Sequence, residues 1–174
     1  MKLTAFDPPT DSAGIPVHHR WPVRTMFLSW FGLGLIGKAP GTLGSLGCIP
    51  LAAALVLLAG PWLLAAAAVA VFIAGWRLSV LQLRDVPETK DPQWIVIDEV
   101  AAQWAVLAAV PFQVVWYLAA FAAFRLFDIW KPWPVRWADR KVGGGLGVML
   151  DDVLAAAYAV AVLLGLRIGL ERFL

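Results

Sequence analysis

Two pairs of adjacent carboxylates stand at the thresholds of apolar runs. Asp98 and Glu99 lie in IVIDEVAAQW (95–104), and Asp151 and Asp152 in VMLDDVLAAAYAVAVLLGL (148–166). A carboxylate that enters an apolar phase must be neutralised, paired or bound to a cation. Its occurrence twice argues against an accident of composition. Carboxylates distant in sequence but gathered at one depth are what a divalent cation with oxygen ligands requires. The plainer reading is that such acids solvate helix ends and pair with Arg or Lys. That reading serves well for any single acid and less well for two pairs that each abut apolar sequence.

The elements that must position these acids are apolar. Of 174 residues, 61% are apolar and 15% charged, against about half and about a quarter in a soluble domain. The chain therefore leans toward a membrane. A net charge of +2, with no long basic run, gives no sign of nucleic acid. One cysteine, Cys48, excludes an internal disulfide framework and reads as a buried thiol. Residues 1–20 have no apolar core of signal-peptide length and read as a mobile polar tail, with His18 and His19 as solvated side chains. A single membrane-embedded domain over 21–174 follows.

Within that domain, 21–35 reads as an amphipathic segment along the membrane surface. Five apolar stretches follow at roughly 46–59, 61–76, 100–110, 112–124 and 153–166. Their Ala and Leu content favours helices, each shorter than the ~20 residues of an upright span. The expected fold is all-α: a compact helical membrane protein of about five short apolar helices. Two breaks, at Ala59–Trp62 and Val110–Gln113, are short and uncharged; two, at 77–99 and 125–152, are long and charged. If the short breaks are hairpin tips, both long loops and the N-terminus share one side. Twelve of the fourteen basic residues then lie there, all but Arg167 and Arg172. An excess of Lys and Arg marks the cytoplasmic face.

Two further blocks bear on chemistry. GLGLIGKAPGTLGSLGCIPL (32–51) combines glycines with Lys38, Thr42 and Ser45. Backbone amides at a helix start, two hydroxyls and a lysine suit a phosphate, although small residues also serve close helix packing. It lacks the Gly-Lys-Ser/Thr of a Walker loop. FRLFDIWKPWPVRWADRKVGGGLGVMLDD (124–152) sets Asp128 and Lys131 three apart, on one helical face. Pro132 and Pro134 then disfavour the helix. Arg136, Arg140 and Lys141 precede a glycine-rich turn at 143–145, and Trp130, Trp133 and Trp137 suit the interfacial zone.

Four ordered blocks, GKAPGTLGSL, KDPQWIVIDEVAAQW, FRLFDIWKPWPVRWAD and GGGLGVMLDDVLAA, resemble the phosphatidylglycerophosphatase A family over roughly residues 28 to 165. The resemblance implies an all-helical enzyme of the bacterial inner membrane. It implies hydrolysis of the terminal phosphomonoester of phosphatidylglycerophosphate in the bilayer, with Mg2+. Ala102 and Ala156 stand where the family has glycine, and Gly37 where proline is frequent. None of these departures removes an acid.

On that footing Asp98, Glu99, Asp151 and Asp152 are the expected metal ligands, with Asp98, Asp128 and Asp152 as catalytic carboxylates. Lys38, Thr42, Ser45 and Lys131 are the expected contacts of the substrate phosphate. Attack by water and attack by an aspartate both stay open. Other phosphatase classes lack their tools here: no Arg follows Cys48 at five residues, the histidines lie in the tail, and no Asp-x-Asp occurs. The competing readings are a small transporter or assembly subunit, and a phosphatase of another lipid phosphate. A conduit would need acids at successive depths, whereas these gather at helix mouths on one side.

Overall fold

The computed structural model describes residues 22–36, 39–85 and 92–173. The polar tail and Lys38 lie outside the described residues. The elements are α1 (Pro22–Leu28), a 3-10 turn (Leu33–Leu35), α2 (Pro40–Gly47), α3 (Ile49–Asp85), α4 (Ile97–Ala108), α5 (Val114–Trp130), α6 (Val135–Lys141) and α7 (Gly144–Phe173). Among the described residues there is no strand. The all-α expectation holds.

Helix α3 is two arms joined at a break. Ala59 (φ −150°, ψ 23°) and Gly60 (φ 79°, ψ −179°) leave helical geometry, and Pro61 restarts it. Glycine tolerates that positive φ, and proline at a first helical turn forfeits no hydrogen bond. The neighbours of each arm show that the chain reverses. Gly44 lies against Val96, and the Cys48 carbonyl accepts the Trp104 indole N–H at 3.1 Å. Val56 and Pro61 both border a hollow with Leu107 to Phe112, and Gly75 then faces Ile97. The first arm thus runs down α4 and the second returns along it. Both uncharged breaks and Arg167 meet at that far end of the bundle.

The apolar surface points outward as well as inward. Pro40–Asp85 and Gly144–Arg172 are long and apolar enough to cross a membrane, yet only 11% and 22% of their most apolar windows are buried. The core helix of a soluble protein would be mostly buried, so these helices suit lipid. Leu58, Trp62 and Val69 on α3, and Val162 and Ile168 on α7, are exposed. Phe124, Leu64, Ile97, Met149 and Leu107 fill the interior.

Three features differ from the expectation. The second arm of α3 and the whole of α7 outrun their apolar stretches, because helix continues through polar residues. Ser79 and Gln82 are buried there. The segment 21–35 does more than lie on a surface: the Leu28 carbonyl accepts the Val96 N–H at 2.9 Å, and Trp30 meets Trp104 edge-on at 5.3 Å. The third is the glycine turn, most of which belongs to α7.

Gly145 explains that last point. A Cβ there would lie 2.5 Å from the Val80 nitrogen and 2.8 Å from the Trp76 carbonyl oxygen. Backbone meets backbone at this crossing, and only a bare Cα fits. Gly145→Ala should lower stability by about 1–3 kcal/mol, the usual cost of overpacking. Gly143→Ala, with nothing within 4 Å of its Cβ, should leave the melting temperature in detergent unchanged. Equal melting of the two variants would contradict the close approach.

Candidate active site

Opposite the far end, four helices deliver polar side chains to one cleft of about 280 Å³. The start of α2 brings Pro40, Gly41 and Thr42; the first turn of α4 brings Asp98 and Glu99. The end of α5 brings Arg125 and Asp128, the residue after it is Lys131, and α7 brings Asp151 and Asp152. The acids on α4 suit their place, since a helix N-terminus favours negative charge. The Glu99 backbone N–H donates to Asp98 Oδ1 at 3.0 Å.

Asp98, Glu99 and Asp152 come closest together: each offers a carboxylate oxygen within 4.8 Å of the others. Asp152 is 4% exposed, and the carboxylates of Asp128, Glu99 and Asp151 all bear on its charge. Asp152 Oδ2 and Glu99 Oε2 are buried without a hydrogen-bond partner. Buried charged oxygens left so are costly, and an all-oxygen donor set is the kind that Mg2+, Ca2+ or Mn2+ takes. The residues present therefore fit a hard divalent cation.

Asp151 behaves differently from its neighbour. Consecutive helical residues project about 100° apart, and here the two side chains diverge. Asp151 Oδ2 accepts from the Lys131 ammonium at 2.7 Å, and Asp139 accepts from the same ammonium. Partial burial works against the charge on Lys131, but the two carboxylates outweigh it and hold its pKa above the ordinary lysine value.

The other expected residues divide. Asp128 and Thr42 line the cleft. Ser45 does not: it is fully buried, and its hydroxyl donates to the Gly41 carbonyl one turn back at 2.8 Å. Lys131 reaches the cleft but does not share a helical face with Asp128. Helix α5 ends at Trp130, and Lys131 takes a left-handed conformation (φ 48°, ψ 62°) that redirects its side chain.

The partner of Asp128 is Arg125, at 2.6 Å from Asp128 Oδ2 and 3.9 Å from Glu99 Oε1. The sequence reading missed it. Its signal was a lone arginine inside an apolar run, one helical turn before an acid. Gln93 was missed too, and nothing in its surroundings singles it out. Gly41 was read as one of several glycines, yet a Cβ there would fall 2.0 Å from Glu99 Oε1.

Charge decides what the cleft can accept. The described residues lining it carry five carboxylates and two basic groups, a formal excess of three negative charges. An anionic substrate would be repelled unless cations entered with it. Such a site can hold a cation and, through that cation, a phosphate.

Comparison with known proteins agrees. The family model described as Phosphatidylglycerophosphatase A matches residues 26–167. The chain belongs to the phosphatidylglycerophosphatase A family. It is accordingly a phosphatase. It is similar to the phosphatidylglycerophosphatase A of Haemophilus influenzae, 44% identical over 138 residues that cover 79% of this chain and 84% of that protein. The protein of the same name from Escherichia coli is 40% identical over 135 residues, covering 76% and 77%. A Bacteroides thetaiotaomicron protein, provisionally named a phosphatidylinositol-3-phosphatase, is 42% identical over 137 residues, covering 74% and 84%. No solved structure matches the chain.

Gly41→Ala tests the packing of Glu99. The added methyl must displace the carboxylate from the cluster. Displacement on the ångström scale can cost about a hundredfold in rate. Phosphatase activity should fall by at least about tenfold, with helix content by circular dichroism unchanged. Full activity in this variant would show that the position of Glu99 is immaterial.

Proposed function

We propose that the chain is a Mg2+-dependent phosphatase of phospholipid biosynthesis. It hydrolyses the terminal phosphomonoester of phosphatidylglycerophosphate to phosphatidylglycerol and inorganic phosphate. The observation that carries this reading is the convergence of Asp98, Glu99 and Asp152 at one end of an apolar bundle, in a member of this family. Placement at a helix mouth suits a substrate whose phosphate lies at the membrane edge and whose tails lie in the bilayer.

Asp98, Glu99 and Asp152 would hold the Mg2+, with Asp151 contributing through its tie to Lys131. An ion held by these three carboxylates would supply Lewis-acid polarisation of the phosphoryl group and offset its charge. Lys131 faces phosphate oxygens as a fixed cation, and Lys38, outside the described residues, is a second candidate. Thr42 donates its hydroxyl to the phosphate from the start of α2. Asp128 lies outside the cluster of three and is oriented by Arg125. We assign it the proton: it accepts one from a water attacking phosphorus in line and returns it to the departing glycerol oxygen. Direct attack by an aspartate, giving an aspartyl-phosphate that water then cleaves, is the alternative route.

The same bundle sets the orientation we infer. Arg24, Arg125, Arg136, Arg140 and the neighbouring lysines belong to the cleft end or the segments around it, and Arg167 lies at the other. The positive-inside tendency makes the cleft end cytoplasmic at a bacterial inner membrane. A single catalytic domain spanning 21–174 completes the reading. A phosphatase of another lipid phosphate is the second reading, favoured by the Bacteroides relative's name. A conduit is disfavoured, since the cleft acids gather at one end and not at successive depths.

The purified protein in detergent micelles should release phosphate from phosphatidylglycerophosphate with Mg2+ and stop when excess chelator is added. Phosphatidic acid and phosphatidylinositol 3-phosphate should be poor substrates. Asp98→Asn and Asp152→Asn should each abolish turnover while inserting and folding normally. Wild-type activity in either variant would remove that residue from the mechanism. Release from all three lipids would leave the chemistry and withdraw the selectivity.

A further inference from the structure

Between the second arm of α3, helix α4 and helix α7 runs an apolar groove of about 350 Å³. Ala101, Ala102 and Ala105 of α4 form its floor. Ala65, Ala68, Val69 and Phe72 of α3 form one wall and Val153 of α7 the other. The groove begins about one helical turn from the acid cleft along α4. Asp98, Ala102 and Ala105 follow i, i+4, i+7 along one stripe of α4. Across from them Val153 directly follows Asp152, whose Oδ2 is one of the cleft's two buried carboxylate oxygens without a hydrogen-bond partner among the described residues. From Asp98 the floor descends seven residues to Ala105, about 10 Å at helical rise. It opens outward where Ala105 and Val69 are exposed, on the side presented to lipid.

We propose that this groove seats one acyl chain of the phospholipid substrate and so fixes the register of its headgroup over Asp98 and Asp152. The inference rests on the lipid-phosphatase reading above. Continuity argues for that occupant: a molecule whose phosphate meets the carboxylates and whose tail enters the bilayer passes along this stripe. The groove's effect is on position more than affinity. Lipid tails are as apolar as the groove wall, so leaving the bilayer for the groove brings little hydrophobic gain. Holding the chain in line with the acids restricts the headgroup's approach, which acts on rate.

Two variants fill the groove from different sides, Ala105→Phe from the floor and Val69→Trp from the wall. Both sites are exposed, so neither insertion disturbs the packed interior. Turnover is measured on phosphatidylglycerophosphate with two eighteen-carbon chains and on the analogue with two six-carbon chains. Each variant should lose about tenfold or more in kcat on the long-chain lipid, with little change in KM. The short-chain analogue should be hydrolysed as by wild type, which also certifies the fold and the acid cluster. Unchanged long-chain turnover in both variants would overturn the groove assignment. So would an equal loss on both lipids, or loss of a self-associated form with no dependence on chain length, since a second copy of the chain would then be the occupant. If wild-type protein hydrolysed neither lipid, the lipid-phosphatase reading itself would fall.

Discussion

The structure turns on one electrostatic constraint: negative charge crowded at the mouth of an apolar bundle. Three carboxylates offer oxygens within 4.8 Å of one another. At an effective dielectric of about 20, each such pair of charges repels by roughly 3 kcal/mol. The α4 N-terminus returns about 0.3–1 kcal/mol. Arg125 is mainly engaged with Asp128, and Lys131 with Asp139 and Asp151. Among the described residues Arg125 comes to 3.9 Å from Glu99 Oε1, while the buried oxygens Glu99 Oε2 and Asp152 Oδ2 have no hydrogen-bond partner. A hard divalent cation bound there would place two positive charges at one point, among the crowded carboxylates.

The bundle exists to hold that group at one depth. In hydrocarbon, helices gain little from hydrophobic association, so small residues that permit close packing matter more. Gly145 lets α7 touch the α3 backbone, and Gly44 lets α2 touch Val96. Each contact anchors a helix that carries a cleft residue. The two reversals, at Ala59–Gly60 and near Pro111, carry no charge and lie together at the far end. Helices joined by such turns necessarily return their other ends to the same level, where the acids are.

Much of this was legible in the sequence, for identifiable reasons. Apolar runs separated by two kinds of break reported the hairpins, because charge is expensive in a membrane and glycine with proline marks reversals. The acids of the cluster were visible as charges abutting apolar sequence. What could not be read was direction. Asp151 and Asp152 look equivalent in a string, yet the helix turns them about 100° apart, one to the cluster and one to Lys131. Ser45 looks like a phosphate ligand until its hydroxyl is seen donating to the Gly41 carbonyl. Arg125 was hidden because a single arginine in an apolar helix reads as a border charge. Helix ends were misjudged wherever polar residues such as Ser79 and Gln82 continue a helix into buried contacts.

The split of the aspartate pair has a structural consequence of its own. Lys131 ends α5 in a left-handed conformation, which costs a non-glycine residue roughly 1–2 kcal/mol. A helical Lys131 would have stayed on the α5 surface near Asp128. The left-handed turn instead sends its ammonium to Asp139 beyond α5 and Asp151 on α7. Three segments are thereby tied by one cation, and charge-assisted hydrogen bonds of about 1.5–3 kcal/mol each offset the backbone cost. Asp151 thus serves as an anchor, holding α7 in the rotation that points Asp152 at Asp98 and Glu99. In this pair the labour is divided: Asp151 fixes the rotation of α7 through Lys131, and Asp152 faces Asp98 and Glu99.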